Sequence, residues 1–119
     1  VAAWLDRQIE GHIHVTAITV FGLRKGQAQL PASASRTRLE RMNAALTDDM
    51  LGGRVIPLGR AAARIAGDLH AARKRTGTGQ DMQDTLIAGI AIANRATLAT
   101  RNTRHFADLP TPVVDPWVA

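Results

Sequence analysis

Two short segments hold the residue types that could do chemistry. Asp81 and Asp84 stand three apart in D-M-Q-D, ahead of the apolar run Leu86-Ile-Ala-Gly-Ile-Ala. Arg101, Asn102, Thr103, Arg104 and His105 follow the β-like run Ala96 to Thr100. Carboxylate and amide oxygens are the donors that Mg²⁺ and Mn²⁺ prefer. A guanidinium binds phosphate oxygens bidentately, so Arg101 and Arg104 suit a nucleic-acid backbone. The same residues also have structural uses. A D-x-x-D start caps a helix, because a side-chain oxygen accepts an unpaired N–H and negative charge suits the positive helix end. Capping is the better account of Asp81, whereas Asp84 suits either role. A polar cluster with an Asn after a strand is also an ordinary turn.

Other chemistries have less support. His12 and His14 share one face of a short strand, with no third ligand at zinc spacing. There is no phosphate-binding or dinucleotide-binding glycine loop. Ser33 and Ser35 lie in a loop without the strand-to-helix elbow of a serine hydrolase. The absence of cysteine excludes a disulfide scaffold and thiolate metal sites, and fits a reducing, cytoplasmic setting.

The elements that must position these residues follow from the totals and the periodicity. One domain over 1–119 is the expectation for 119 residues. The hydrophobic fraction is 45% but aromatics make up only 3%, so Ala, Leu, Ile and Val must form the core. Fifteen Lys and Arg against 10 acids give a charge of +5, which suits either nucleic-acid contact or a solvated basic surface. No apolar run approaches the roughly 20 residues needed to cross a bilayer, so no membrane partner is expected.

Ala2, Ala3, Leu5 and Ile9 form the stripe of a first helix with no cap before it. A strand over His12 to Val15 leads into a helix capped by Thr16, from Ala17 to about Leu30. Pro31 to Ser35 reads as a loop and Arg36 to Met50 as a helix broken by Gly52-Gly53. Arg54 to Leu58 is a strand, with Pro57 marking an edge. Arg60 to about Arg75 is a helix with Ala61, Ile65, Leu69 and Ala72 available for its core face. After a loop over Thr76 to Gln80 comes a helix from Asp81 to about Arg95. Strands over Thr97 to Thr100 and Val113-Val114 complete the pattern. Short strands alternating with helices predict an α/β domain with a mainly parallel sheet, whose ligands sit at strand carboxyl ends. Thr16, Gly59 and Arg101 are at or just past such ends.

In order along the chain, AWLDRQ, HVTAITVFGLRKGQAQLP, GRVIPL, RAAARIAGDLHAARKRTG, DMQDTLIAGIAIANRATLATRNTRHF and VVDPW resemble the PIN-domain family. Within it they resemble the VapC-type toxins of bacterial toxin–antitoxin pairs, especially the FitB-like branch. The segment from Asp84 to Phe106 is the most specific. The resemblance implies a PIN-like three-layer α/β/α sandwich with a mainly parallel sheet. It also implies Mg²⁺-dependent RNA cleavage, restraint by a cognate antitoxin, and assembly as a homodimer.

The family's site is a group of acids around the metal. The first follows a first strand in a segment resembling LDTN, which would precede Val1, so that strand is expected to be missing here. The second is a Glu whose matching position is Gly22, and no Asp or Glu occurs from Gly11 to Leu39. The third falls on Asp84. The fourth is matched by Asn102, with His105 at another frequently polar position. By this resemblance Asp84 and Asn102 are the catalytic and metal-binding pair, Asn102 orienting a metal-bound water, and Arg101 and Arg104 contact RNA phosphates. One carboxylate plus an amide supplies a single negative charge, so Mg²⁺ (or Mn²⁺) binding is expected to be weak. The expected function is a VapC-type ribonuclease with weak or lost activity. The alternative is a non-enzymatic PIN remnant that binds antitoxin or RNA. Asp84 is expected at a helix start, its carboxylate one metal-water layer from Asn102.

Overall fold

The computed structural model describes Arg7 and residues 13–50, 53–77 and 81–116. Of the helix read over Ala2 to Ile9, Arg7 is described, in a turn; the rest falls outside these residues. The chain divides into two compact units, Ile9–Pro57 and Leu58–Ala119 together with Val1–Gln8.

In the unit Ile9–Pro57, β1 (Val15–Thr16) runs directly into α1 (Ala17–Ala28). Thr16 keeps extended backbone, and its hydroxyl accepts the Thr19 N–H at 3.0 Å, which fixes the helix start. Pro31 follows the last turn, where its ring could not continue the helix. The loop after it is shorter than the sequence suggests. Ser33 accepts the Arg36 N–H at 3.2 Å and caps α2 (Ala34–Ala44) two residues before the predicted start. Nor does α2 stay α-helical to Met50. Ala45–Met50 widens into a π-helical turn, with the Thr47 hydroxyl donating to the Asn43 carbonyl at 2.8 Å. Gly53 turns the chain at φ +70°, which favours glycine.

β2 (Val55–Ile56) pairs parallel with β1, Val15 opposite Val55 and Thr16 opposite Ile56. It is shorter than the predicted strand, and Pro57 just after it has no N–H to donate. Among the described residues of this unit, Val15 and Gln27 are the buried side chains.

In the unit containing Leu58–Ala119, α3 (Arg60–Thr76) ends at Gly77, a left-handed C-cap at φ +72°. Asp81 caps α4 (Met82–Ala93). β3 (Leu98–Ala99) and β4 (Val113–Val114) pair parallel, Leu98 opposite Val113. Between them Thr103–Phe106 forms a 3₁₀ turn where the sequence suggested only a polar loop.

The core of this unit is the α3–α4 contact plus Phe106, with Ala62, Ala66, Ala88, Ile90 and Ala91 buried. The buried stripe of α3 lies one residue away from the predicted one. Ala62, Ala66 and Arg73 face inward, Ala61 is exposed, and Ile65, Leu69 and Ala72 are half-buried. Gly89 gives the reason. A Cβ there would lie 2.6 Å from the Ala62 carbonyl oxygen and 2.8 Å from the Ala66 Cβ. Helices this close accept only the smallest residues between them, so the alanine stripe wins over the bulkier Ile65 and Leu69.

Candidate functional site

The start of α4 and the 3₁₀ turn after β3 meet at a cavity of about 200 Å³ in the Leu58–Ala119 unit, lined in part by Asp81, Asp84, Arg104, His105 and Asp108. Asp81 is committed to the helix. Its Oδ1 accepts the Asp84 N–H at 2.8 Å, and its carbonyl accepts from the Thr85 N–H and, at 2.8 Å, from the Thr85 hydroxyl. The capping reading of Asp81 therefore matches the geometry. Asp84 stands in the first turn of α4 with its side chain 21% exposed. Its Oδ2 lies 2.6 Å from His105 Nδ1, a short contact that joins the two sequence segments.

A residue that the motifs did not single out holds this arrangement together. Arg73 of α3 also lines the cavity and is 3% exposed. Its Nε and Nη2 donate to the two carboxylate oxygens of Asp108 at 3.0 and 2.9 Å. Nη2 also donates to the His105 carbonyl at 2.7 Å, and Nη1 to the Thr85 hydroxyl at 3.2 Å. One guanidinium thus fastens the turn carrying His105 and Asp108 to the first turn of α4. Planar bidentate geometry is what guanidinium offers and ammonium does not. The hydrogen bond to Asp108 raises the Arg73 pKa, and the reciprocal bond holds the Asp108 carboxyl below the usual carboxylate range. The sequence carried no decisive signal: Arg73 shares a helical stripe with Ala62 and Ala66, but only the packing shows that this stripe is the buried one, on which a cation needs a partner.

Of the four residues chosen from sequence, Asp84 and Arg104 line the cavity. Arg101 and Asn102 are exposed, and neither belongs to its described lining. Asn102 begins the 3₁₀ turn. Its N–H donates to the Thr100 hydroxyl at 3.1 Å and its carbonyl accepts the His105 N–H at 3.0 Å. Gly22 lies within α1, in the other unit.

The donor set does not fit a magnesium centre as it stands. Asp81 Oδ1 is spent on capping, both carboxylate oxygens of Asp108 on Arg73, and Asp84 Oδ2 on His105. Among the described residues no group of three or more His, Asp or Glu is placed to hold a metal ion. Mg²⁺ wants near-octahedral oxygen ligands, and two of the groups around Asp84 are a guanidinium and an imidazole.

Comparison with known proteins places the chain. The PIN domain model matches residues 1–111, and the chain belongs to the PIN-domain family, in its VapC/FitB-type toxin branch. It is 35% identical over 117 residues to the VapC ribonuclease Y4jK of Sinorhizobium fredii, a match covering 98% of this chain and 84% of that protein. It is 32% identical over 118 residues to Toxin FitB of Neisseria gonorrhoeae, with the same coverage. The crystal structure of FitAcB from Neisseria gonorrhoeae superposes with a TM-score of 0.81 at 30% identity, covering 99% of this chain and 85% of that one. The α/β character read from the sequence is the PIN fold. Among the described residues no helix is long and apolar enough to cross a membrane.

Proposed function

We propose that this chain is the toxin of a toxin–antitoxin pair, a cytoplasmic protein of RNA-hydrolysing ancestry whose own activity is weak or lost. The three-layer α/β/α arrangement, the cognate antitoxin and the homodimer implied by the family belong to this reading. One observation carries it. Asp84, a family acid that this sequence carries, has its Oδ2 in a 2.6 Å contact with His105, and the neighbouring carboxylates are bound to protein partners. A divalent cation must displace His105 to use that oxygen, so Mg²⁺ (or Mn²⁺) binds weakly. Asp84 and Asn102 are the proposed ligand and catalytic pair. Arg101 and Arg104 supply positive charge for RNA phosphates, Arg104 from the wall of the cavity. The same contact favours a second reading, a PIN protein that binds antitoxin or RNA without cutting it.

The test is RNA cleavage by the purified chain with Mg²⁺ and with Mn²⁺, together with calorimetric titration of Mn²⁺. Weak metal binding that disappears in Asp84→Ala, with slow cleavage abolished by Asp84→Asn, is expected for an impaired enzyme. Weak metal binding with no cleavage selects the second reading. Rapid cleavage that depends on Asp84 overturns the claim of weak activity. Tight Mn²⁺ binding that survives Asp84→Ala shows that the metal site lies elsewhere.

A further inference from the structure

We infer that the outward face of α3 is a docking surface for the sugar–phosphate backbone of an RNA strand. The inference rests on the proposal that RNA is the partner, and adds a surface outside the cavity. Arg60, Arg64, Lys74 and Arg75 fall within an arc of about 100° around the helix axis at 3.6 residues per turn. All four are exposed, and the face turned away from them carries the buried Ala62, Ala66 and Arg73. None of the four cations takes part in the ion pairs of Arg36 with Glu40, Arg73 with Asp108, or His105 with Asp84. Asp68, on the flank of the arc, is the one acid that α3 contains.

The cations form two ends, Arg60 with Arg64 and Lys74 with Arg75. Arg64 and Lys74 are about 15 Å apart along the axis at 1.5 Å per residue. Between the ends lie Gly67 and Ala71, both exposed. Gly67 has no packing reason, because a Cβ added there meets nothing within 4 Å. Glycine weakens a helix interior. In the middle of the basic arc it leaves the surface low, so that a strand can lie against the helix between its cationic ends.

Charge complementarity selects a polyanion, and the side chains on the arc select nucleic acid over protein. The exposed positions are Arg, Lys, Gly, Ala and Asp, with no aromatic or large apolar anchor of the kind that dominates protein interfaces. Phosphate contacts need charge alone, and they carry no sequence information. The surface therefore holds RNA without sequence preference.

The test is fluorescence anisotropy with a labelled 20-nucleotide single-stranded RNA in EDTA, from 50 to 200 mM salt. Four phosphate contacts to a single strand contribute a slope of about −2.8 in log K against log salt, or roughly a 50-fold loss over that range. The variant R60Q/R64Q/K74Q/R75Q is expected to lose that part of the slope. R60Q/R64Q and K74Q/R75Q are each expected to lose about half of it. A charge-matched control, R24Q/K25Q/R38Q/R41Q, keeps the wild-type slope if α3 is the surface. Circular dichroism melts of all variants exclude loss of fold.

Wild-type binding that the α3 variants leave unchanged, or that the control weakens equally, overturns this surface but not RNA as the partner. No RNA binding by the wild type at 50 mM salt overturns both. Displacement of the RNA from wild type by an oligoglutamate of equal charge and higher affinity makes the face an acidic-protein site and overturns the assignment to RNA.

Discussion

The two units bury their helices by different means. In the Leu58–Ala119 unit, α3 and α4 approach until Gly89 touches the α3 backbone, and Ala66, Ala88 and Ile90 are almost or wholly removed from water. In the Ile9–Pro57 unit the contact between α1 and α2 is polar. Asn43 Nδ2 donates to the buried Gln27 Oε1 at 3.1 Å and to the Leu23 carbonyl at 3.4 Å. There Phe21 and Met42 stay 55% and 61% exposed. Close apolar packing excludes a single added methyl at Gly89, whereas the amide-bridged unit leaves open space beside Gly26. The cavity with its paired charged groups is built on the closely packed helices. Close packing restricts where the side chains on these helices can sit, which is what a site requires.

The largest expected break in this contrast is Arg73→Met. It keeps an unbranched apolar stem on the buried stripe but removes the donors to the His105 carbonyl and to the Thr85 hydroxyl, which keeps its bond to the Asp81 carbonyl, and releases Asp108. A loss of about 3 kcal/mol is expected from removing the charge-assisted hydrogen bonds of this one buried guanidinium to the His105 carbonyl and to the partly exposed Asp108. Urea unfolding measures it, and an unchanged midpoint would mean that the turn carrying His105 is held by something else. Loss of the Asp84–His105 contact should accompany it, seen as a changed His105 ring shift by NMR.

One substitution made in each unit sharpens the comparison. Gly89→Ala sets a methyl against the Ala62 carbonyl and the Ala66 N–H, which are backbone and cannot rotate away. It should cost about 2 kcal/mol through overpacking. Gly26→Ala in α1 meets nothing within 4 Å, and should instead stabilise by roughly 1 kcal/mol through helix propensity. Equal effects in the same direction by thermal melting would abolish the distinction between the units.

The smallest effect concerns acid. Asp108 has its pKa lowered by Arg73, so its contribution is present above the ordinary carboxylate value and is lost as pH falls through the lower folded value. The Asp108 side chain is 42% exposed, which keeps the effect modest through solvent screening. Between pH 5 and pH 2 the wild-type melting temperature should fall slightly more than that of Asp108→Asn. Parallel curves for the two proteins would show that the pair contributes nothing to acid stability.

Local chemistry made much of this protein legible in advance. Thr16, Pro31, Gly77 and Asp81 start or stop helices through hydrogen bonds and backbone limits that lie within a few residues, so the helices of α1, α3 and α4 could be read from the chain alone. The alternation of those helices with short strands was enough for the α/β class, and Asp84 could be placed at a helix start. Other features were decided by contacts far apart in sequence. The inward stripe of α3 is set by Gly89, 27 residues from Ala62, and a helical pattern cannot choose between adjacent registers without knowing what lies opposite. The widening of α2 into a π-helical turn has no separate mark in the sequence.

At the site, the sequence supplied Asp84 and His105 but not the 2.6 Å contact between them, which spans 21 positions. It supplied Arg73 as one more basic residue. Only the packing of α3 on α4 buried that residue and aimed it at Asp108, 35 positions away. Caps and turns are short-range and can be read from neighbours. The pairing of charges depends on which surfaces the tertiary fold brings together.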